Sequence, residues 1–340
     1  MTEPKPGLAV LIVSDGVPGH VSQARGLVRW LATRFSTHAD EHRVDLRARS
    51  LARLVLPPLL RRETAGLAAY RLFHGEPPRP DGPIDVVVSA GGNTAFANVL
   101  LARHLRRPNV FLGSRRRLPG RCFTAHLTLE PTGDASNIVM TVAPSPSTDA
   151  EMAARGRTFA ERHGMESERL WLMACGGDGA GKTYRVKHWR KLGGWMNELA
   201  ARHGVRWLIS TSRRTGRTAE DALRAALAPH NVAYAVWWSR REERILGDLM
   251  GAAERLFVTV DSMSMISECI AAAKPLILVH TGDGAPNQRY QDALAKYQRL
   301  ELCGNYEVGA GVDDQVTSPP SLATLIEPQI DELARRIARC

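Results

Sequence analysis

No apolar run in this 340-residue chain approaches the ~20 residues of a membrane-spanning helix. The first apolar stretch, Leu8–Val13, is too short for the core of a secretory signal, and no basic cluster precedes it. The chain is therefore expected in the cytoplasm. Cysteine is sparse: Cys122, Cys175, Cys269, Cys303 and Cys340 are odd in number, scattered and without metal-ligand spacing, so neither a disulfide framework nor a metal site is expected. Aromatic residues make up only 6% and no nucleic-acid motif accompanies them, which argues against base-stacking surfaces and a nucleic-acid partner. Internal repeats and low-complexity tracts are also missing.

The chain has 44% hydrophobic residues and a length that suits two domains better than one. It also has a formal charge of +10, unevenly spread. Residues 1–149 hold 19 Lys and Arg against 12 Asp and Glu; residues 150–340 hold 26 against 23. The excess in the first part is mostly arginine, in runs such as Arg61-Arg62 and Arg115-Arg116-Arg117. Such a face suits a phosphorylated substrate or an anionic membrane surface, reached peripherally; the plain alternative is a solvated, arginine-rich surface.

Apolar runs of strand length alternate with helical patterns throughout, which predicts parallel α/β sheets. In the first part strands are expected at Leu8–Val13, Arg43–Leu46, Ile84–Ser89, Val110–Leu112 and Ile138–Val142. A helix over Leu51–Phe73 is expected to break at Pro57-Pro58, ahead of a proline-rich loop, Gly75–Pro83. Ala143–Thr148 (APSPST) reads as a linker. Strands then recur at Leu170–Ala174, Val205–Ile209, Val232–Val236, Phe257–Val260 and Leu276–Val279, and Ser321–Ala338 reads as a closing amphipathic helix. The expected division is 1–145, 150–318 and a terminal helix at 319–340, with two Rossmann-like sheets facing across a cleft.

Polar or glycine-rich turns follow several of these strands, where α/β proteins place ligands. Ser14–His20 contains Asp15, Gly16 and Gly19, and ends in His20 at a helix start, where the dipole favours a neutral imidazole able to act as a base. A lone histidine is more often structural. Gly91, Gly92 and Asn93 form a second turn, suited either to an acceptor phosphate or to a plain cap. The third, Gly176-Gly177-Asp178-Gly179-Ala180-Gly181-Lys182-Thr183, fits the phosphate-binding P-loop pattern residue for residue. Taken alone it predicts an ATP-dependent phosphotransferase, with Lys182 on phosphate and Thr183 on magnesium; its place at the start of a second α/β domain weakens that reading. The fourth, Ser210–Gly216, offers Ser212, Arg213 and Arg214 as a clamp for diphosphate oxygens. In the fifth, Asp261, Ser262 and Ser264 stand at a helix N-terminus that suits a phosphate, and Glu268 lies further along, placed to accept hydrogen bonds from ribose hydroxyls. Capping serines and a solvated glutamate are the bland alternative.

Three stretches, DGVPGH, STSRRTG and VTVDSMSMISECIAAAKPLILV, occur in the order seen in the mitochondrial fission ELM family, and the chain resembles a bacterial member of it. The resemblance implies a GT-B-like glycosyltransferase architecture. A weaker resemblance is to the glycosyltransferases that add N-acetylglucosamine to peptidoglycan precursors. It implies a ribose contact for Glu268, a diphosphate edge at Ser262 and Ser264, a base or acceptor-side role for His20, and sugar contacts at Gln288 and Asp292. The family's Asp-Gly…Asn-Pro-Tyr stretch is replaced here by Trp237–Glu243. The expected activity is glycosyl transfer from a nucleotide-diphosphate sugar, with no tightly bound cofactor and no metal at the diphosphate. The acceptor is expected to be anionic, lipid-linked or phosphorylated. A non-catalytic protein recruited to a membrane is the alternative from another class.

Overall fold

The computed structural model describes residues 5–311, 319 and 322–339. The chain forms two compact units, one running up to Pro146 and including the last helix, the other beginning at Ser147. The expected boundary after residue 318 falls outside the described residues.

The first unit is built from β1 (Gly7–Ser14), α1 (Pro18–Ala32), β2 (Ser36–Arg43), α2 (Arg49–Arg61), α3 (Leu67–His74), β3 (Val86–Ala90), α4 (Ala95–Leu105), β4 (Asn109–Leu112), β5 (Ala125–Thr128) and β6 (Asn137–Val139). Its six strands pair in parallel in the order β2-β1-β3-β4-β5-β6. Central strands are continuous apolar runs because helices cover both faces of a parallel sheet; every residue of β3 and β4 is buried. The edge strand β2 is polar, STHADEHR, and lies ahead of the expected strand at 43–46. An edge needs backbone pairing more than apolar side chains, so β2 carries no hydrophobic signal. Val44 and Leu46 are buried just after it.

Helix α2 runs through Pro57 and Pro58; the break comes later, between Arg61 and Leu67, where Glu63 takes a left-handed φ of 58°. Leu56, Pro57 and Leu60 are buried on one face, and that packing overrides the local cost of proline in a helix.

The second unit comprises α5 (Asp149–His163), β7 (Leu170–Cys175), α6 (Val186–His203), β8 (Arg206–Thr211), α7 (Arg217–Ala226), β9 (Val232–Val236), α8 (Leu246–Ala252), β10 (Arg255–Thr259), α9 (Met263–Ala271), β11 (Leu276–His280), α10 (Gln288–Arg299) and β12 (Gly304–Glu307). Its sheet is again six-stranded and parallel, in the order β12-β11-β10-β7-β8-β9. Thr148, the last residue of the expected linker, caps α5 in a capping box with Glu151. The core centres on Trp171, Trp189, Trp195 and Trp207 around Phe257. The closing helix, α11 (Leu322–Ala338), packs in the first unit. Arg34 binds its Asp331 at 2.7 Å and Glu327 at 3.0 Å, and Thr141 Oγ1 donates to Leu325 O.

Candidate functional site

In the second unit, parallel pairing of β10 with β7 and of β7 with β8 brings three loops to one sheet edge. Asp261, just beyond β10, is at the centre. Its carboxylate has no exposed surface and accepts from Gly177 N–H (2.9 Å), Tyr184 Oη (2.7 Å) and Arg214 Nη2 (2.8 Å). The other nitrogen of that guanidinium, Nη1, donates to Gly177 O and Asp178 O, both at 3.0 Å. Ser212 Oγ donates to Gly176 O at 2.9 Å, and Thr215 Oγ1 also bonds Gly176 O. The 176–184 and 212–216 loops are thereby stapled together through Asp261.

The glycines of the 176–183 turn have a packing reason. A Cβ on Gly176 would lie 2.0 Å from Asp261 Oδ2, and one on Gly181, at φ +88°, would lie 2.2 Å from Ala285 O. Gly179 and Lys182 exchange backbone hydrogen bonds in a tight turn, and Thr183 exchanges them with Asp283. Lys182 Nζ donates to Gly284 O (3.1 Å) and Gly282 O (3.4 Å), and α6 begins only at Val186. A P-loop needs its N–H groups and lysine turned to phosphate and its Lys-Thr pair opening a helix. Here the N–H groups of Gly176, Gly177, Gly179, Lys182 and Thr183 serve the fold, and Lys182 is buried against carbonyls.

Helix α9 begins at Met263, and Ser262, its buried N-cap, makes no side-chain capping bond. The first turn of α9 therefore presents N–H groups at its positive end. Ser264 and Glu268, four residues apart on one helix face, are both half-buried. Arg213 is exposed beside the staple. Gln288, the first residue of α10, is exposed and donates to Asp292 Oδ1 at 2.8 Å. Burial and then the neighbouring Asp261 push the Tyr184 hydroxyl pKa up, which keeps the phenol a donor. Sequence reasoning missed Glu220. Buried in α7, it accepts from Thr211 Oγ1 (2.6 Å) and Ser239 N–H (3.1 Å) and so pins the start of the Trp237–Glu243 segment.

In the first unit, the β1–α1 turn places Asp15 against His20. His20 Nδ1 lies 3.0 Å from both carboxylate oxygens; the Asp15 side chain is 7% exposed and that of His20 35%. Burial alone would raise the Asp15 pKa. The hydrogen bond and charge of His20, with Val17 N–H and Asn93, outweigh it and hold the carboxyl below its ordinary value. The pairing orients the ring, with the Nδ1 proton on the carboxylate side and Nε2 left as a base. The β3–α4 turn completes the group. Gly91, at φ +89°, lies so close to the imidazole that a Cβ would sit 2.2 Å from Nδ1, so no other residue fits there. Asn93 hydrogen-bonds Asp15, and Thr94 Oγ1 closes the turn on Gly91 O at 2.9 Å. Gly16 faces the Arg43 guanidinium, and Gly19 lies in the first turn of α1.

The sequence model for mitochondrial fission ELM1 matches residues 18–337. The chain belongs to the mitochondrial fission ELM1 family. No curated protein sequence matches it. Among solved structures it is similar to a putative UDP-N-acetylglucosamine 2-epimerase from Listeria monocytogenes, with 12% identity over 98% of this chain and 91% of that one and a TM-score of 0.50. It is also similar to Acinetobacter baumannii MurG (15%, 98% and 95%, TM-score 0.45) and to the E. coli ADP-heptose LPS heptosyltransferase II (12%, 98% and 99%, TM-score 0.48). The fold of this ELM1-family protein is α/β, with two six-stranded parallel sheets.

The predicted residues thus fall into two groups. Asp15, Gly16, Gly19, His20, Gly91, Gly92 and Asn93 gather in the first unit; Gly176, Gly177, Gly179, Ser212, Arg214 and Asp261 gather in the second, with α9 beginning beside them. Lys182 and Thr183 turn instead toward the 282–284 loop. The Asp15–His20 pair was missed as a pair, although a five-residue separation across a strand-to-helix turn is a spacing that can close such a contact.

Proposed function

We propose that this ELM1-family protein is a glycosyltransferase that binds a nucleotide-diphosphate sugar in its second unit and activates an acceptor hydroxyl with His20. The Asp15–His20 pair carries the reading: a buried, well-ionised carboxylate holding a half-exposed imidazole is the arrangement a general base requires. The acceptor oxygen attacks the anomeric carbon, its proton passes to His20 Nε2, and the bond from that carbon to the diphosphate breaks. The departing charge meets the N–H groups opening α9 and the guanidinium of Arg213, while Glu268 accepts from the ribose. Arg214 acts indirectly, by holding Asp261 and the 176–178 carbonyls. UDP-sugars are the donors to try first, because the similar Listeria monocytogenes protein is a putative UDP-N-acetylglucosamine 2-epimerase.

A thermal-shift panel of UDP, GDP, CMP, ADP and ATP–Mg tests the donor half, because a ligand raises Tm according to its concentration over Kd. With the donor found, His20→Gln should lower turnover by about 10²–10⁴-fold and leave donor affinity unchanged. Failure of every nucleotide to shift Tm would overturn the reading.

A peripheral position on an anionic membrane is the second reading, and α2 favours it. Leu51 and Leu54 are 53% and 69% exposed there, on the same helix as the exposed Arg49 and Arg53.

A further inference from the structure

Among the described residues, Arg53 and Arg116 stand near the Asp15–His20 pair with no carboxylate of their own. Arg116 lies flat on Gly92, where an added Cβ would come within 2.6 Å of its Nε and 3.0 Å of its Cζ. That Nε is sealed from solvent and has no acceptor. The backbone of Arg116 is left-handed, φ +50°, and that of Arg117 follows at +69°, a conformation strained for a non-glycine residue. Arg53 reaches over from α2, with Nη2 3.4 Å from Asn93 Oδ1. Arg115, by contrast, is paired with Asp134 at 2.6 Å.

Arg53 and Arg116 are close enough to repel. Burial first, and then the charge of Arg53, lowers the Arg116 pKa. Asn93 links the arginines to the base, because it hydrogen-bonds Asp15 and accepts from Arg53. The same turn opens α4, whose positive end faces Gly91–Asn93. Two unpaired cations, a strained backbone that holds one of them in place and a helix N-terminus together suit a tetrahedral dianion, which two guanidiniums can grip at once.

We propose that Arg53, Arg116 and Asn93 form a phosphate receptor that holds the acceptor beside His20. The inference rests on the reading of His20 as the base for an acceptor hydroxyl, and names the group by which that acceptor is gripped. The phosphate belongs either to a soluble ester or to a lipid headgroup. Arg53 shares its helix with the exposed Leu51 and Leu54, which would face the bilayer in the second case.

The probe is inorganic phosphate, titrated at constant ionic strength and followed by Tm and by NMR of the His20 ring. Binding should be saturable. It should shift the His20 ring resonances in proportion to occupancy, because the receptor lies beside the imidazole. Arg53→Gln with Arg116→Gln should weaken binding at least about tenfold, the scale of one lost charged hydrogen bond. Arg117→Gln, at the exposed neighbouring position, should leave it unchanged. Arg116→Gly suits the left-handed backbone, so it should keep or raise Tm while losing phosphate, which separates binding from folding. Phosphatidylcholine vesicles with and without phosphatidic acid locate the source. Binding that needs phosphatidic acid and both arginines assigns a lipid phosphate; phosphate binding without vesicle binding assigns a soluble one. Phosphate that does not saturate the wild type, or binds indifferently to both arginines, overturns the receptor. Nucleoside-diphosphate shifts measured on the same variants keep the two proposals apart. Lost phosphate binding with a retained nucleotide shift is the receptor's signature. An intact receptor in a protein that binds no nucleotide sinks the transferase alone.

Discussion

Arg214 Nη2 lies 2.8 Å from Asp261 Oδ2, and this one contact ties the loop after β8 to the end of β10. Asp261 is fully buried and Arg214 about one-third exposed, so the pair is neither a surface salt bridge nor a free phosphate clamp. Asp261→Ala would strand the guanidinium, the Tyr184 hydroxyl and the Gly177 N–H. It should cost about 3 kcal/mol, the lower end of what breaking a buried pair costs, because water still reaches Arg214. Urea unfolding measures it; a midpoint equal to wild type would show that the staple is dispensable.

Lys182 donates to the carbonyls of Gly282 and Gly284 and so locks two glycine-rich loops together. Lys182→Ala should lower stability by about 1–2 kcal/mol and weaken nucleotide affinity less than about tenfold. Magnesium-dependent ATP hydrolysis that vanishes in this variant would restore the P-loop reading.

Glu268 shares a helix face with Ser264 one turn beyond the start of α9. Glu268→Gln should keep the fold and reduce nucleotide affinity by about 1.5–3 kcal/mol, the scale of a hydrogen bond to a charged group. Calorimetry against a 2′,3′-dideoxy nucleotide should show a smaller loss. Equal losses for both nucleotides would remove the ribose contact.

His74 is buried at the end of α3, and burial pushes its pKa down from 6.5 to about 4, with the charge of Arg47 acting in the same direction. The folded state therefore binds fewer protons than the unfolded chain between those values. Stability is complete above pH 6.5 and falls by about 3 kcal/mol as the pH drops to about 4. His42 and His280, also lowered by burial, add to the same window, whereas the Asp15 contribution is lost only below 3.8. Unfolding at pH 7.5 and 4.5 should show the loss, and His74→Leu should flatten it; an unchanged slope would assign it elsewhere.

Strand and helix periods made the α/β class and both parallel sheets legible, because a strand buried on both faces reads as an apolar run. Val232–Val236 has the bounds expected from its residues, and β7 and β11 differ from expectation by one residue. The polar edge strands β2 and β12 were not legible, since pairing at an edge resides in the backbone. Nor was the helix through Pro57-Pro58, where burial overrode propensity.

Local chemistry brought glycine, serine and arginine to the ends of the strands, and the chain alone marked His20, Asp261 and Glu268 as positions of interest. Only tertiary structure decided what they meet. GGDGAGKT reads as a phosphate cradle because glycine permits close approach, but a motif does not say what approaches. Here the neighbours are Asp261, Arg214 and the Ala285 carbonyl. Likewise Asp15 and Asn93 are separated by 78 positions in the chain, and the pairing of β1 with β3 brings them together. Residue types are a property of the sequence; which charges are buried, paired or left without an acceptor depends on the contacts that folding creates.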